Sequence, residues 1–516
     1  MPLWEKFEVS YDPELLRVLR QILVFCYKAE FEPSYEQRIA SQEAFVQNNN
    51  EVGFWNSSNC NRLHSSHLLR EARRIIGSVI HRINWTEITP FHGPGAVYPP
   101  RKPWEKSDIR ASYAKLSSLY PLDYHSCGLP SFWNEVLVDG DFRIQELASI
   151  EAKLVCVPKD SRGPRLICVH PSEAIRIQQG QRKLLESAIA RHPSVSKAIR
   201  FDDQTVNGQI ALESSRTREF CTLDLKDASD RIPKELVRYL FGDAYRYLEA
   251  SRADTVKLLD GRVINVEAFA PMGNCLTFPV ESLVFYAMVR AGIQCRYGSL
   301  KANRARLYIF GDDVIFPTEV YDGVIRALVS VGLIPNTGKT FRKGLFRESC
   351  GVDAFNGVDI TPLRIRKVDV VSASSAVGLC SLAKRLTLSG YHSASSKLYS
   401  YVTKQWGRLP LSNNPECQGI CQYNGSSASS LFIHEPSLRF NRETQVFETR
   451  TRLLRSCIST DFMHDWYHVQ DSLVSLLRRG EEPSVRGQEY PIPYRTQLVY
   501  GWIPVIVDDL IVLYLW

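Results

Sequence analysis

Two carboxylates set side by side at the tip of a turn repel each other unless a cation shares the space. The stretch YIFGDDVIFP (308–317) puts Asp312 and Asp313 between two apolar β-prone runs. A hairpin turning at Gly311 would carry both acids at the end of a buried ribbon. A third acid, Asp224, closes the β-prone run EFCTLDL (219–225). An acid at the end of a core strand can meet those of a neighbouring hairpin. Mg²⁺ favours such a set, because it takes octahedral oxygen ligands, retains waters and completes its shell with substrate phosphates. Asp224, Asp312 and Asp313 are therefore candidate ligands of a two-ion clamp, one ion activating a hydroxyl and the other holding a leaving phosphate. Asp227 lies close by, but reads equally well as a cap of the following helix.

Phosphates also call for cations. The chain carries a net charge of +7, and residues 151–200 hold ten Lys/Arg against four Asp/Glu. There KLVCVPKD and RLICVHP flank the turn DSRGP, a basic hairpin presenting Lys159, Arg162 and Arg165. Guanidinium forks suit triphosphates if the turn makes these side chains converge. A solvated charged face is the competing reading. The run MGNCLT (272–277) precedes a helix. Gly273 would admit close backbone approach, and Asn274 offers a donor and an acceptor for a ribose 2′-OH, although a simple turn and cap would use the same residues. Gly338-Lys339-Thr340 has the tail of a P-loop without its earlier glycine or a leading strand, and neither a dinucleotide fingerprint nor a nucleophile elbow is present.

The elements that must position these groups are legible in outline. Residues 1–85 read as helices, one rich in leucine from Glu14 and one after Ser65/Ser66, separated by a polar loop QNNNEVGFWNSSNCN (47–61). Helices follow the basic hairpin, start at Pro233, and run over 279–292 with Gly292 as the stop. The stretch after Thr318 reads as helical to about Ser330. Further helices are expected at 375–389 and 451–479. At 516 residues, two to four packed subdomains are expected.

Several functions are excluded. Thirteen cysteines, an odd number, are too sparse for a disulfide framework, and Cys156, Cys168 and Cys221 read as buried free thiols. Cys417 and Cys421 lack a second pair for zinc, and His464 and His468 lack the glutamate of a metalloprotease helix. The N-terminal residues do not form a secretory signal, no apolar run reaches the length of a membrane span, and the chain reads as intracellular. IVDDLI (506–511) imitates the acidic hairpin, but lacks its glycine. Asp508 and Asp509 are therefore expected to lie outside any metal site, on a terminal extended segment.

In this order, the basic hairpin, the Asp strand, the Gly-Asn-x-x-Thr helix start and the GDD hairpin resemble a viral RNA-dependent RNA polymerase. They are most similar to the replicase beta subunits of the small positive-strand RNA bacteriophages. TLDLKDASDRIP (222–233), FAPMGNCLTFPVESLVFYA (269–287), YIFGDDVIFP (308–317), NTGKTFRKGLFRESCG (336–351) and GVDITPLRIRK (357–367) carry the likeness. VCVPKDSRGPRLICVHPSEAIRIQQG (155–180) and HGPGA (92–96) complete it.

The resemblance implies an α+β right-hand fold, a palm with an antiparallel sheet flanked by fingers and thumb. Residues 1–150 would form the N-terminal region and outer fingers, 151–218 the fingers with the NTP-binding hairpin, 219–370 the palm, and 371–516 the thumb and C-terminal region. It implies template-directed RNA synthesis from NTPs with two Mg²⁺ ions, for which Mn²⁺ can substitute, on Asp224, Asp312 and Asp313. Asp230 and Asn274 would recognise ribose, Gly273 and Thr277 would face template and nucleotide, and Lys159, Arg162 and Arg165 would contact triphosphate. Lys339 would protonate departing pyrophosphate. Met272 and Glu281 stand where many polymerases have Ser and Asn, a departure that fits the phage branch. Cys350 falls in a motif that holds the primer strand, as packing. The implied partners are template and product RNA, host elongation factors Tu and Ts and ribosomal protein S1, in the cytoplasm of an infected bacterium and away from membranes. The alternatives are the polymerase of a capsidless RNA virus of eukaryotes and a non-catalytic RNA-binding structural protein.

Overall fold

The computed structural model describes residues 2–59, 62–102, 105–106, 109–125, 144–407, 438–444, 446–458 and 494–504. Helices α1 (Leu3–Ser10), α2 (Pro13–Val24), α3 (Tyr35–Asn59) and α4 (His67–Ile80) lead the chain. The α4 start is the expected one, with the Ser66 hydroxyl accepting the Leu69 amide at 3.3 Å.

Over its described part, 47–59, the expected polar loop is instead the second half of α3. Its amides are buried because they serve the backbone of another segment. Asn49 donates to the Asn265 carbonyl at 2.9 Å and accepts the Glu267 amide at 2.8 Å. Asn56 donates to the Glu267 carbonyl at 3.0 Å, and Gln42 accepts the Leu259 amide at 2.8 Å. A polar helical face reads as solvent-facing until the distant ribbon it satisfies is known.

Strands β1 (Glu151–Asp160) and β2 (Gly163–Val169) form the expected basic hairpin, with Val157 opposite Arg165, Asp160 opposite Gly163 and an irregularity between. Helices α5 (Ser172–Arg191) and α6 (Thr205–Thr217) lead to β3 (Phe220–Leu223). After α7 (Lys234–Phe241), β4 (Thr255–Lys257) runs parallel to the start of β1 and pairs with β5 (Val263–Asn265). The acidic hairpin is β6 (Tyr308–Phe310) and β7 (Asp313–Pro317). It completes an antiparallel sheet in the order β3-β7-β6.

Behind this sheet lies α8 (Thr277–Tyr297), apolar on nearly every side and buried for most of its length, as such a helix must be. It packs between α4 and α9 (Tyr321–Ser330) in the largest core. A meander of β8 (Phe346–Ser349), β9 (Val352–Phe355) and β10 (Val358–Asp359) follows. The fully buried Arg347 ties it to the sheet by donating to the Phe220 carbonyl at 2.8 Å. Helices α10 (Ala373–Leu388) and α11 (His392–Trp406) pack around their own small core.

The architecture is α+β, as expected. The expected helix at 451–479 is corrected over its described part. Residues 451–458 belong to β12 (Val446–Ile458), which pairs antiparallel with β11 (Leu438–Asn441) and β13 (Tyr494–Pro504). An apolar-basic run of this length suits either structure locally, and the distant partner strand decides. Cys168 and Cys221 are buried free thiols, whereas Cys156 is half-buried. The pairs Cys417/Cys421, His464/His468 and Asp508/Asp509 lie outside the described residues. Among the described residues, no helix is long and apolar enough to cross a membrane.

Gly292 does not stop α8, which continues to Tyr297 and ends at Gly298 with φ +84°. Its role is contact. A Cβ there would lie 2.6 Å from the Ala327 Cβ and 2.9 Å from the Gly323 carbonyl, so α8 and α9 meet backbone to backbone. Gly292→Ala should therefore lower the unfolding free energy by about 1–3 kcal/mol, read as a shifted denaturant midpoint at constant slope.

Candidate active site

The hairpin turns on Gly311 and Asp312, since Phe310 pairs with Asp313. Gly311 has φ +61°, and a Cβ there would sit 2.6 Å from the Phe278 ring and 3.1 Å from Glu281 Oε1. Its amide donates to the Ser282 hydroxyl at 3.2 Å. The first turns of α8 thus press the tip into place, leaving Asp312 exposed and Asp313 half-buried. Asp224 follows the adjacent strand β3. It accepts the Asn336 side-chain amide at 2.6 Å, while the Asn336 backbone amide donates to its carbonyl at 2.9 Å.

The three expected acids are brought together, and their fields show it. Burial, then Asp312, and more weakly Asp224 push the Asp313 carboxyl up to about 6, against the Cys350 amide that donates to it at 3.1 Å. Burial and Asp312 raise Asp224, opposed by Lys339, Asn336 and Lys159. Among the described residues, no three His, Cys, Asp or Glu side chains form a ready-made metal cage. The donor set still fits Mg²⁺, which commonly binds through one or two carboxylates and takes its remaining oxygens from water and substrate phosphates.

Cations face the acids. Burial lowers Lys159, and Arg165, Arg162 and Lys339 lower it further, so these four side chains do converge. Arg162 is already engaged. It forms an ion pair with Asp160 at 2.9 Å and lies over the Tyr27 ring at 5.1 Å. Lys339 lies 3.9 Å from Glu348. Burial opposes its charge, but Glu348, Asp224 and Asp313 prevail and raise its pKa.

The MGNCLT loop is a packing device as well as a candidate recognition element. Gly273 has φ +113°, and a Cβ would lie 2.3 Å from the Cys168 carbonyl, so its close approach is to the basic hairpin rather than to open space. The Thr277 hydroxyl is turned inward, donating to the Ala270 carbonyl at 3.0 Å. Asn274 accepts the Leu276 amide at 2.8 Å, but its buried Nδ2 donor has no partner. Asp230 adjoins the same loop and accepts the Met272 amide at 3.4 Å. Asp227 is neither cap nor neighbour of the acids. It accepts from Asn48 of α3 at 3.0 Å with φ +48°.

Sequence reasoning did not read the roles of four groups. Asn336 and the Cys350 amide, both within the stretch 336–351, orient two of the acids through contacts that the motif itself does not announce. Glu281 is buried on α8, and its carboxyl is pushed well above the usual range by burial, then by Asp312 and Asp230, so it bridges the two halves of the site. The segment after α2 carries Tyr27 and Lys28 into the cation wall. The Tyr27 carbonyl accepts the Ser161 amide at 3.1 Å, and burial, Arg364, Arg366 and Lys339 lower Lys28. No periodicity near residue 28 signals this, because the contacts are more than a hundred residues away.

Comparison with known proteins follows the same residues. The RNA replicase beta-chain profile matches residues 137–409. The chain is 38% identical over 212 residues to the RNA-directed RNA polymerase beta chain of Escherichia phage MS2, covering 41% of this chain and 37% of that one. It is 32% identical over 274 residues to the corresponding subunit of Escherichia virus Qbeta, covering 52% and 45%. The aligned stretches thus span less than half the length of these relatives. Among solved structures, the RNA-dependent RNA polymerase of a human picobirnavirus aligns with 78% of this chain and 82% of its own, at 12% identity and a TM-score of 0.40.

Asp230 supplies a pH test. Burial lifts its carboxyl to about 6 from an ordinary value of 3.8. A carboxyl raised in the folded state adds stability that is complete below 3.8 and lost as pH rises through 6. Asp230→Asn should therefore stabilise the metal-free protein by about 2–3 kcal/mol at pH 7.5 and by far less at pH 4, as read by denaturant unfolding at both values.

Proposed function

The chain belongs to the RNA replicase beta-chain family, and on that premise we propose that it synthesises RNA along an RNA template from nucleoside triphosphates. The observation that carries the reading is the convergence of Asp224, Asp312 and Asp313 at the ends of adjacent core strands, opposite Lys159, Arg165 and Lys339. Acids alone would repel both RNA and NTP, and cations alone would bind them without chemistry. Their juxtaposition suits a polyphosphate that is cleaved.

In this reading residues 219–370 are the palm of a right hand, 1–150 and 151–218 the fingers, and 371–516 the thumb with the C-terminal region. Asp224, Asp312 and Asp313 would hold two Mg²⁺ ions, or Mn²⁺ in their place, whose chemistry is to acidify an attacking hydroxyl and neutralise phosphate charge. Asn336 and the Cys350 amide hold two of these carboxylates in orientation. The 3′-hydroxyl oxygen of the growing strand bonds to the α-phosphorus, the α–β bridging bond breaks, and pyrophosphate departs. Lys159, Arg165 and Lys28 hold the β- and γ-phosphates. Lys339, kept protonated by Glu348, Asp224 and Asp313, would pass a proton to the leaving pyrophosphate. Arg162 joins them only on releasing Asp160. Asp230 and the unpaired Asn274 donor supply the polar edge for the ribose 2′-OH, while Gly273 and Thr277 shape that loop rather than touch the sugar. Most of the acceleration would come from positioning and fixed charge.

The family likeness extends the proposal to partners. Elongation factors Tu and Ts and ribosomal protein S1 of a bacterial host would assemble with the chain in the host cytoplasm, and native pull-down with intensity measurement tests this.

Asp312→Asn is the direct test of catalysis. Primer extension on a homopolymeric RNA template with Mg²⁺ should fall at least about 100-fold while RNA binding persists, and near-parental extension would remove the catalytic reading. Lys28→Ala should act differently. Losing one charge-assisted phosphate contact should raise the KM for NTP about tenfold with kcat within a few-fold, as steady-state kinetics would show.

A further inference from the structure

A second cationic site lies away from the acids. A cavity of about 840 Å³ opens between α4, the end of α7 and the residues that follow it. Gly242, at φ +55°, ends α7 here, and the chain turns to form the cavity wall. Arg70, Arg73, Arg74 and Arg246 line it with a single acid, Asp243. Arg74 is paired with Glu71 at 3.0 Å. Of the others, Arg246 donates one N–H to the Tyr247 hydroxyl at 2.7 Å. Arg73 lies 5.1 Å over Tyr239, Arg246 lies 4.7 Å over Tyr247, and among the described residues Arg70, Arg73 and Arg246 form no ion pair. A guanidinium stacked on a ring is fixed in direction, yet keeps most of its N–H donors for an outside anion.

The site is separate from the catalytic one. Helix α4 meets the far end of α8, where Gln294 donates to Glu71 at 2.8 Å and His67 contacts Cys295 at 3.2 Å. Ser282, which holds the acidic hairpin, lies about 18 Å back along that helix. No wall residue belongs to the acid cluster or the basic hairpin.

We propose that this cavity binds the phosphate backbone of single-stranded RNA, a contact independent of base sequence. The inference rests on the polymerase reading for its ligand, not for its geometry. A protein partner would need exposed apolar anchors at the centre of its footprint. Here Ile80, Trp85, Tyr239, Leu240 and Phe241 are buried, so none of them protrudes as such an anchor, and, Asp243 apart, the charged edges of the wall are guanidinium groups. A phosphodiester chain needs no more than those.

The test measures binding without NTP or divalent metal. A labelled 30-nucleotide oligo(A) RNA is titrated against the parent, the Arg70→Ala/Arg73→Ala/Arg246→Ala variant, its triple Lys counterpart and the milder Arg70→Glu/Arg246→Glu variant, at several salt concentrations. The triple Ala variant should lose about tenfold or more in affinity, and its log–log salt slope should fall by about 2, near 0.7 per phosphate contact removed. The Lys variant should recover most of both. Extension of a short primer–template whose only single-stranded part is a template overhang of a few nucleotides should remain within twofold of the parent in all variants. If the triple Ala variant fails to fold, judged by thermal unfolding, the Glu variant, altered only at exposed side chains, decides by the same readouts. Unchanged affinity and slope in a folded variant would overturn the proposal, as would intact RNA binding with loss of a co-purifying acidic protein. A parent that binds RNA but does not extend a primer would overturn the polymerase reading and leave this one standing.

Discussion

Three carboxylates gathered at one end of a buried sheet are the constraint that the surrounding structure answers. Burial first, and then repulsion by the neighbouring acids, raise Asp313 to about 6 and raise Asp224 beside it. The fold does not relieve that repulsion by separating the acids, as an ordinary protein would. It supplies the Asn336 amide to one, the Ser349 hydroxyl and Cys350 amide to another, and a wall of lysine and arginine opposite. Neither charge set neutralises the other internally, which leaves room for a ligand carrying both metal and phosphate.

Rigidity of the acid tip comes from behind. The first turns of α8 contact Gly311 through Phe278, Glu281 and Ser282, and the same helix is clamped by α4 on one side and α9 on the other. Substituting a larger residue at Gly311 would strain a left-handed turn and collide with Phe278 at once. The Gly292–Gly323 contact, at the far end of α8, sets how closely α9 approaches. The acid geometry therefore depends on packing about 15 Å from the chemistry.

The cation wall is assembled from widely separated pieces. Lys159 and Arg165 come from one hairpin and Lys339 from a loop after α9. Lys28 comes from the segment linking α2 to α3, held by the Tyr27 carbonyl on the hairpin turn and by Arg366, whose carbonyl accepts the Glu30 amide at 2.7 Å. Such a wall makes the segment that follows the first two helices part of the candidate site. The docking of those helices on the meander through the Phe7 and Phe355 rings, 5.6 Å apart, and through Arg20 on the buried Asp353, then bears on where Lys28 sits.

The sequence alone determined the acidic hairpin, the preceding Asp strand, the basic hairpin and the apolar helix between them. Each is a local pattern in which alternation, turn chemistry and apolar runs agree over a dozen residues. Tertiary structure decided what local pattern could not. The amide-rich stretch 47–59 is helical because it satisfies the backbone of 265–267, and 451–458 is a strand because 494–504 lies alongside. Gly273 and Gly292 looked like a ligand approach and a helix stop. Both are close backbone contacts, with the Cys168 carbonyl and with Gly323, and contact across a hundred residues leaves no mark on the neighbours of either glycine. Lys28 and Glu281 entered the site for the same reason: a charge acquires its role from the charges folded against it, and those lie far along the chain.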